Sequence, residues 1–122
     1  MEELRGRTLG VVGFGDIGRA AARLARAYGM RVLALRRSSA PPEPDAPCDA
    51  FVPSEKLAEL MGASDYVVMA TPLTPQTTKL IDAAAIAAMK PTGVFINVGR
   101  GPCVDEAALI ECAQSRGCVI VC

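Results

Sequence analysis

A doubly wound α/β domain built on a parallel sheet is the architecture this sequence predicts, and three observations carry the prediction. Short apolar runs alternate with helical patterns from end to end, as in a succession of β-α-β units. The first run leads directly into Gly13-Phe14-Gly15-Asp16-Ile17-Gly18, which opens a helical segment. A later run, Val94 to Val98, ends at Gly99-Arg100 just before another helical segment. That places an arginine at the carboxyl end of a strand, where open α/β sheets bind ligands.

The elements follow in order. Strands are expected near Leu9–Val12, Val32–Leu35, Ala50–Val52, Tyr66–Ala70, Val94–Val98 and Cys118–Val121, because these runs are short, apolar and bounded by glycine, proline or polar residues. Helices are expected between them. The first runs from Ile17 to Tyr28 and closes at Gly29; the second, Glu55 to Met61, is capped by Ser54 and closed by Gly62. The third, Ala83 to Met89, is capped by Asp82 and stopped by Pro91 and Gly93. The last, Glu106 to Ser115, takes Asp105 as its N-cap, with Glu106 in the first turn complementing the helix dipole. The proline-rich stretch Ala40 to Pro47 reads as a stiff surface loop rather than a linker, since too little chain flanks it for separate cores.

Composition narrows the function classes. The 122 residues are 51% hydrophobic, and 13 Lys+Arg balance 13 Asp+Glu, which fits one globular domain spanning 1–122 with its own core. A neutral total gives no support for a nucleic-acid or membrane partner. The longest apolar run, Ala83 to Met89, is far shorter than the roughly 18–20 residues that span a bilayer. Met1-Glu2-Glu3 does not begin a signal peptide, so the expectation is a cytoplasmic protein or one of an organellar matrix. The five cysteines (Cys48, Cys103, Cys112, Cys118, Cys122) include no C-x-x-C pair and read as buried or loop thiols, with no metal site expected. The chain has no histidine, which removes the commonest acid-base group and the commonest metal ligand.

The glycine loop carries the chemistry. Gly13 suits the tight turn, Gly15 lets backbone approach a pyrophosphate, and Gly18 allows close packing of helix on strand, so the diphosphate would sit on the helix N-terminus. With a strand before it and a helix after it, the loop predicts a Rossmann-type dinucleotide site. The usual acidic partner of the adenosine ribose is replaced by Arg36, 18 residues past Gly18, followed by Arg37 and Ser38. A guanidinium attracts the 2′-phosphate that a carboxylate would repel, so the cofactor expected is NADP or NAD, with Arg36 favouring NADP. Arg36 and Arg37 also fit a solvated basic rim with Arg23, Arg26 and Arg31.

Taken together, Gly13–Gly18, the segment Ser64 to Ile81 with its Thr71-Pro72, and the run Asn97 to Leu109 resemble the D-isomer-specific 2-hydroxyacid dehydrogenases. The resemblance implies that Arg100 binds the carboxylate and carbonyl of a 2-hydroxy or 2-oxo acid. It also implies that Asp16, Ile17, Thr71, Pro72, Val98 and Gly99 line the cofactor. It further implies a full-length homodimer, a substrate domain absent from this chain, and a histidine–glutamate pair beyond Cys122. Ala70 stands where relatives carry histidine or asparagine. Related corepressors that bind the dinucleotide without turning over substrate are a second expectation, and a truncated inactive product a third.

Overall fold

The structure, a computed structural model, describes residues 4–13, 15–36, 47–70, 81–98, 106–116 and 119–121, with the backbone alone at Arg36, Ser54, Glu106, Arg116, Ile120 and Val121. Among the described residues six strands form one parallel sheet: β1 (Thr8–Val12), β2 (Arg31–Arg36), β3 (Ala50–Pro53), β4 (Tyr66–Met69), β5 (Val94–Asn97) and β6 (Val119–Val121). Their order is β3-β2-β1-β4-β5-β6. The chain therefore winds outward from β1 in one direction, returns, and winds outward again. The crevice between β1 and β4 is the point of reversal, where doubly wound sheets bind nucleotides.

Four helices among the described residues cover the sheet: α1 (Asp16–Ala27), α2 (Leu57–Ala63), α3 (Ala83–Ala87) and α4 (Glu106–Arg116). On one face α2, α3 and α4 bury Leu60, Met61, Ile86, Leu109 and Cys112 against Val12, Leu33, Val67 and Phe95. On the other, α1 sets Ala22 and Ala25 against Leu9, Val11, Val32 and Val68. Small residues let these layers close up. A Cβ on Gly10 would strike the Ser64 hydroxyl and come within 2.7 Å of Leu60, so α2 lies directly on β1 only because Gly10 has none.

Helix ends follow local chemistry. α1 ends in a Schellman motif: Gly29 takes φ +81°, its amide donates to Arg26 and the Met30 amide to Ala25, while Met30 is buried. Asp82 caps α3 as expected, accepting from the Ala85 amide at 2.9 Å. The second helix departs from expectation. Residues Ser54–Lys56 form a 3₁₀ turn, the α-helix begins at Leu57 with Lys56 as N-cap, and it passes through Gly62 to Ala63. Gly62 does not stop it, because that glycine lies under α3, where a Cβ would sit 3.2 Å from the Ala88 carbonyl oxygen. Asp105 and the stretch 40–46 lie outside the described residues. Among the described residues no helix is long and apolar enough to cross a membrane.

Candidate dinucleotide site

The carboxyl ends of β1, β4 and β5 leave the sheet at one level. The ladder register sets Val12 beside Met69 and Met69 beside Asn97. It runs one residue further, with the Ala70 amide donating to Val12 and the Val98 amide to Met69. Gly13 turns out of β1 with φ +96°, a conformation that L side chains avoid. The chain then enters α1, whose first intrahelical bond runs from the Arg19 amide to the Gly15 carbonyl at 2.8 Å.

The three glycines have separable tasks. A Cβ on Gly18 would strike the Gly13 carbonyl oxygen and sit 3.0 Å from Val11 Cγ1, so Gly18 is required for α1 to lie on β1. Gly15 is different: its φ of −88° suits any residue, and a Cβ there would meet nothing within 4 Å. Among the described residues, no contact calls for glycine at this position. Among the described residues no side chain caps the helix at Gly15, so the opening N–H groups of α1 have no side-chain cap there, beside a backbone with free space around it. That arrangement is a cradle for an anion, with charge favoured by the helix dipole.

Asp16 and Ile17 occupy the first turn of α1 and are exposed, and Val98 is exposed at the end of β5. Arg36 closes β2 opposite Pro53 of β3, at the same carboxyl edge as the glycine loop. Arg37, Ser38, Thr71, Pro72, Gly99 and Arg100 lie outside the described residues. The loop glycines are thus brought to the crevice together with the ends of β2, β4 and β5. Arg23, Arg26 and Arg31 are exposed, as a solvated rim requires.

Two further aspartates hold the opposite edge of the sheet. Asp65, just before β4, accepts from the Thr8 amide at 2.9 Å and returns its own amide to the Thr8 carbonyl. It also receives Lys90 Nζ at 3.1 Å, with Arg7 at 3.9 Å. Burial opposes the charge on Asp65, but the Thr8 amide, Lys90 and Arg7 outweigh it and hold the carboxyl below the usual aspartate range. Asp49, just before β3, repeats the device on β2: it accepts from the Val32 amide at 2.7 Å and donates its amide to the Val32 carbonyl. An aspartate placed one residue ahead of an apolar run was the available signal.

Strand order, switch point and glycine loop together define a nucleotide-binding domain of the doubly wound class. The family described as D-isomer specific 2-hydroxyacid dehydrogenase, NAD binding domain, matches residues 1–120, and this chain belongs to it. A glyoxylate reductase of Thermococcus gammatolerans is 41% identical over 109 residues, which are 89% of this chain and 32% of the relative. The chain spans about a third of the length of the curated relatives it matches. A glycerate dehydrogenase related protein from Thermoplasma acidophilum superposes with a TM-score of 0.86 at 35% identity, over 98% of this chain and 41% of that one. A D-isomer specific 2-hydroxyacid dehydrogenase from Xanthobacter autotrophicus Py2, solved with NADPH and MES, gives a TM-score of 0.80 at 35% identity, over 94% of this chain and 48% of that one.

Proposed function

We propose that residues 1–122 form the cofactor half of a 2-hydroxyacid dehydrogenase, with the substrate domain supplied by polypeptide beyond them, and that the cofactor is NADP(H) in preference to NAD(H). Bound at the β1–β4 crevice, the nicotinamide supplies the hydride exchanged with C2 of a small 2-hydroxy or 2-oxo acid. The chain's own part is orientation and charge. Gly13, Gly15 and Gly18 shape the loop, and the opening amides of α1, at Asp16, Ile17 and Gly18, receive the diphosphate. Thr71 and Pro72 after β4, and Val98 and Gly99 after β5, border the cofactor. Arg100 binds the substrate carboxylate and carbonyl, a task for a planar, permanently charged fork that cannot act as a base. Two copies assemble in the working enzyme, which acts in the cytoplasm.

The open space at Gly15 is the observation that carries the dinucleotide reading. The preference for NADP(H) rests on Arg36, which ends β2 where an acidic ribose partner is expected. Arg37 and Ser38 extend the donor set. At neutral pH the 2′-phosphate carries most of two negative charges, and charge-assisted hydrogen bonds contribute roughly 1.5–3 kcal/mol each, enough for about tenfold discrimination. Calorimetric titration of NADPH and NADH into wild type and Arg36→Asp tests this. Wild type is expected to bind NADPH about tenfold more tightly, and the variant to lose or reverse that ratio. Equal affinities in wild type, or a ratio unmoved by the substitution, would return Arg36 to the solvated rim.

A further inference from the structure

A second arginine stands in the corner between α1 and the end of β2. A Cβ on Gly18 would strike the Gly13 carbonyl oxygen, so Gly18 stands directly over Gly13. The ladder sets Val12 beside Leu35, and Arg36 is therefore the β2 residue level with Gly13, one strand spacing of about 5 Å away. Arg19 follows Gly18 in the chain. Gly18, Arg19 and the backbone of Arg36 thus share one level at the carboxyl edge of the sheet.

Helix geometry decides which way Arg19 faces. Gly18, Ala22 and Ala25 are the buried residues of α1 and lie down on the sheet. In a right-handed β1-α1-β2 crossover, the 100° step from Gly18 turns Arg19 toward β2, whereas the step back turns Ile17 toward β4. The Cα atoms of Arg19 and Arg36 are accordingly within about 10 Å of each other. Arg19 also differs from the arginines below it on the same flank. Arg23 and Arg26 are exposed, but Arg19 is half-buried. A long stem that lies along protein surface leaves its guanidinium fewer rotamers to lose on binding.

We propose that Arg19 is a specificity-determining residue for the cofactor, donating to the 2′-phosphate of NADP(H) from the α1 side while Arg36 approaches from the β2 side. The inference rests on the NADP(H) reading above and adds a second residue to that subsite. Two guanidinium groups on two different elements suit a phosphate that carries most of two negative charges, since each fork can take its own oxygens. A ribose hydroxyl has no charge to attract a second fork, so NADH leaves Arg19 without a cofactor contact. The diphosphate is a separate matter. It is served by the end of α1, at the amides of Asp16 and Ile17, and both cofactors carry it.

Calorimetric titration of NADPH and NADH into the 122-residue chain and its Arg19→Gln, Arg19→Lys and Arg23→Gln variants is the measurement. Adenosine 2′,5′-bisphosphate and AMP are titrated beside them, because this pair isolates the 2′-phosphate from the nicotinamide end. Arg19→Gln is expected to weaken NADPH and the bisphosphate about tenfold, with NADH and AMP held within about twofold. Arg19→Lys keeps the charge without the fork and should recover part of the loss. Arg23→Gln, about 6 Å further from the carboxyl edge, should change neither ratio. Glutamine is a good helix former, so melting temperatures should stay at the wild-type value. Equal losses for NADPH and NADH in Arg19→Gln would give Arg19 to the diphosphate or to the fold and overturn the inference. A wild type that does not discriminate within either pair overturns the whole 2′-phosphate subsite, Arg36 included. A wild-type preference that falls in Arg36→Asp but survives in Arg19→Gln overturns the role of Arg19 alone.

Discussion

Replacing Gly15 by alanine adds one methyl group where nothing lies within 4 Å, on backbone at φ −88° and ψ −158° that alanine also adopts. Two small effects on stability then oppose each other. Alanine restricts the unfolded chain and stabilises by about 0.4–1 kcal/mol, while it is a poorer helix N-cap than glycine by roughly 0.5–1 kcal/mol. The net change is within about 0.5 kcal/mol, a shift of about 2–3 °C in Tm at most for a domain this size. Binding should respond very differently. On the proposed placement of the cofactor, the methyl group would stand where the diphosphate reaches the amides of Asp16, Ile17 and Gly18. Loss of one charge-assisted hydrogen bond, about 1.5–3 kcal/mol, weakens the dinucleotide roughly 10- to 150-fold. Thermal unfolding and calorimetric titration of NADPH into wild type and Gly15→Ala give the two numbers. Unchanged affinity at unchanged Tm would mean that no diphosphate lies against Gly15, and a fall in Tm beyond about 5 °C would make the glycine structural.

Gly18→Ala should show the reverse: its Cβ overlaps the Gly13 carbonyl oxygen and crowds Val11, so a loss of about 1–3 kcal/mol in chemical denaturation is expected, and wild-type stability would contradict the packing described. Asp65→Asn keeps the shape but removes the charge facing Thr8, Lys90 and Arg7, for a cost of about 1–2 kcal/mol at pH 7. Because folding lowers the Asp65 pKa, that stabilisation is complete above the unfolded pKa and is lost as pH falls through the folded one; the gap between variant and wild type should close in denaturation curves taken below about pH 4. The chain alone should not oxidise NADPH with glyoxylate or hydroxypyruvate, since it has no histidine and general acid-base catalysis typically contributes 10²–10⁴-fold; turnover above background would refute this. In a complete enzyme, Arg100→Lys should raise KM and lower kcat, and an unchanged kcat/KM would make Arg100 structural.

The first β-α-β unit was almost fully legible because its signals are local: Gly13, Gly18 and Gly29 each answer to a turn or a contact made within a few residues. Asp82 was legible for the same reason, as a cap acts three residues away. The second helix differs from its sequence pattern at both ends because its start is a 3₁₀ turn and its glycine serves α3, an element far along the chain. The aspartate clamps are not legible from periodicity, because Asp65 meets Thr8 across 57 positions, a distance over which periodicity carries no information. Patterns of apolar residues also do not say which face of a sheet each helix covers. At the candidate site, the glycine turn between β1 and α1 and the strand-end position of Arg36 are legible in the sequence, both fixed by backbone geometry.

Asp49 and Asp65 both sit at the amino-terminal edge of the sheet, and each ties a new strand to one already laid down by a reciprocal pair of hydrogen bonds. Alignment of the strands is thereby settled about four residues away from the edge at which chemistry is expected. Loops leaving the carboxyl ends are then at liberty to differ in length and composition without sliding one strand against its neighbour. A designer wishing to graft new specificity onto this scaffold should be able to rewrite the segments after β2, β4 and β5 freely. The two aspartates are the residues to leave alone, because a slip of one position would turn the side chains of a whole strand onto the wrong face.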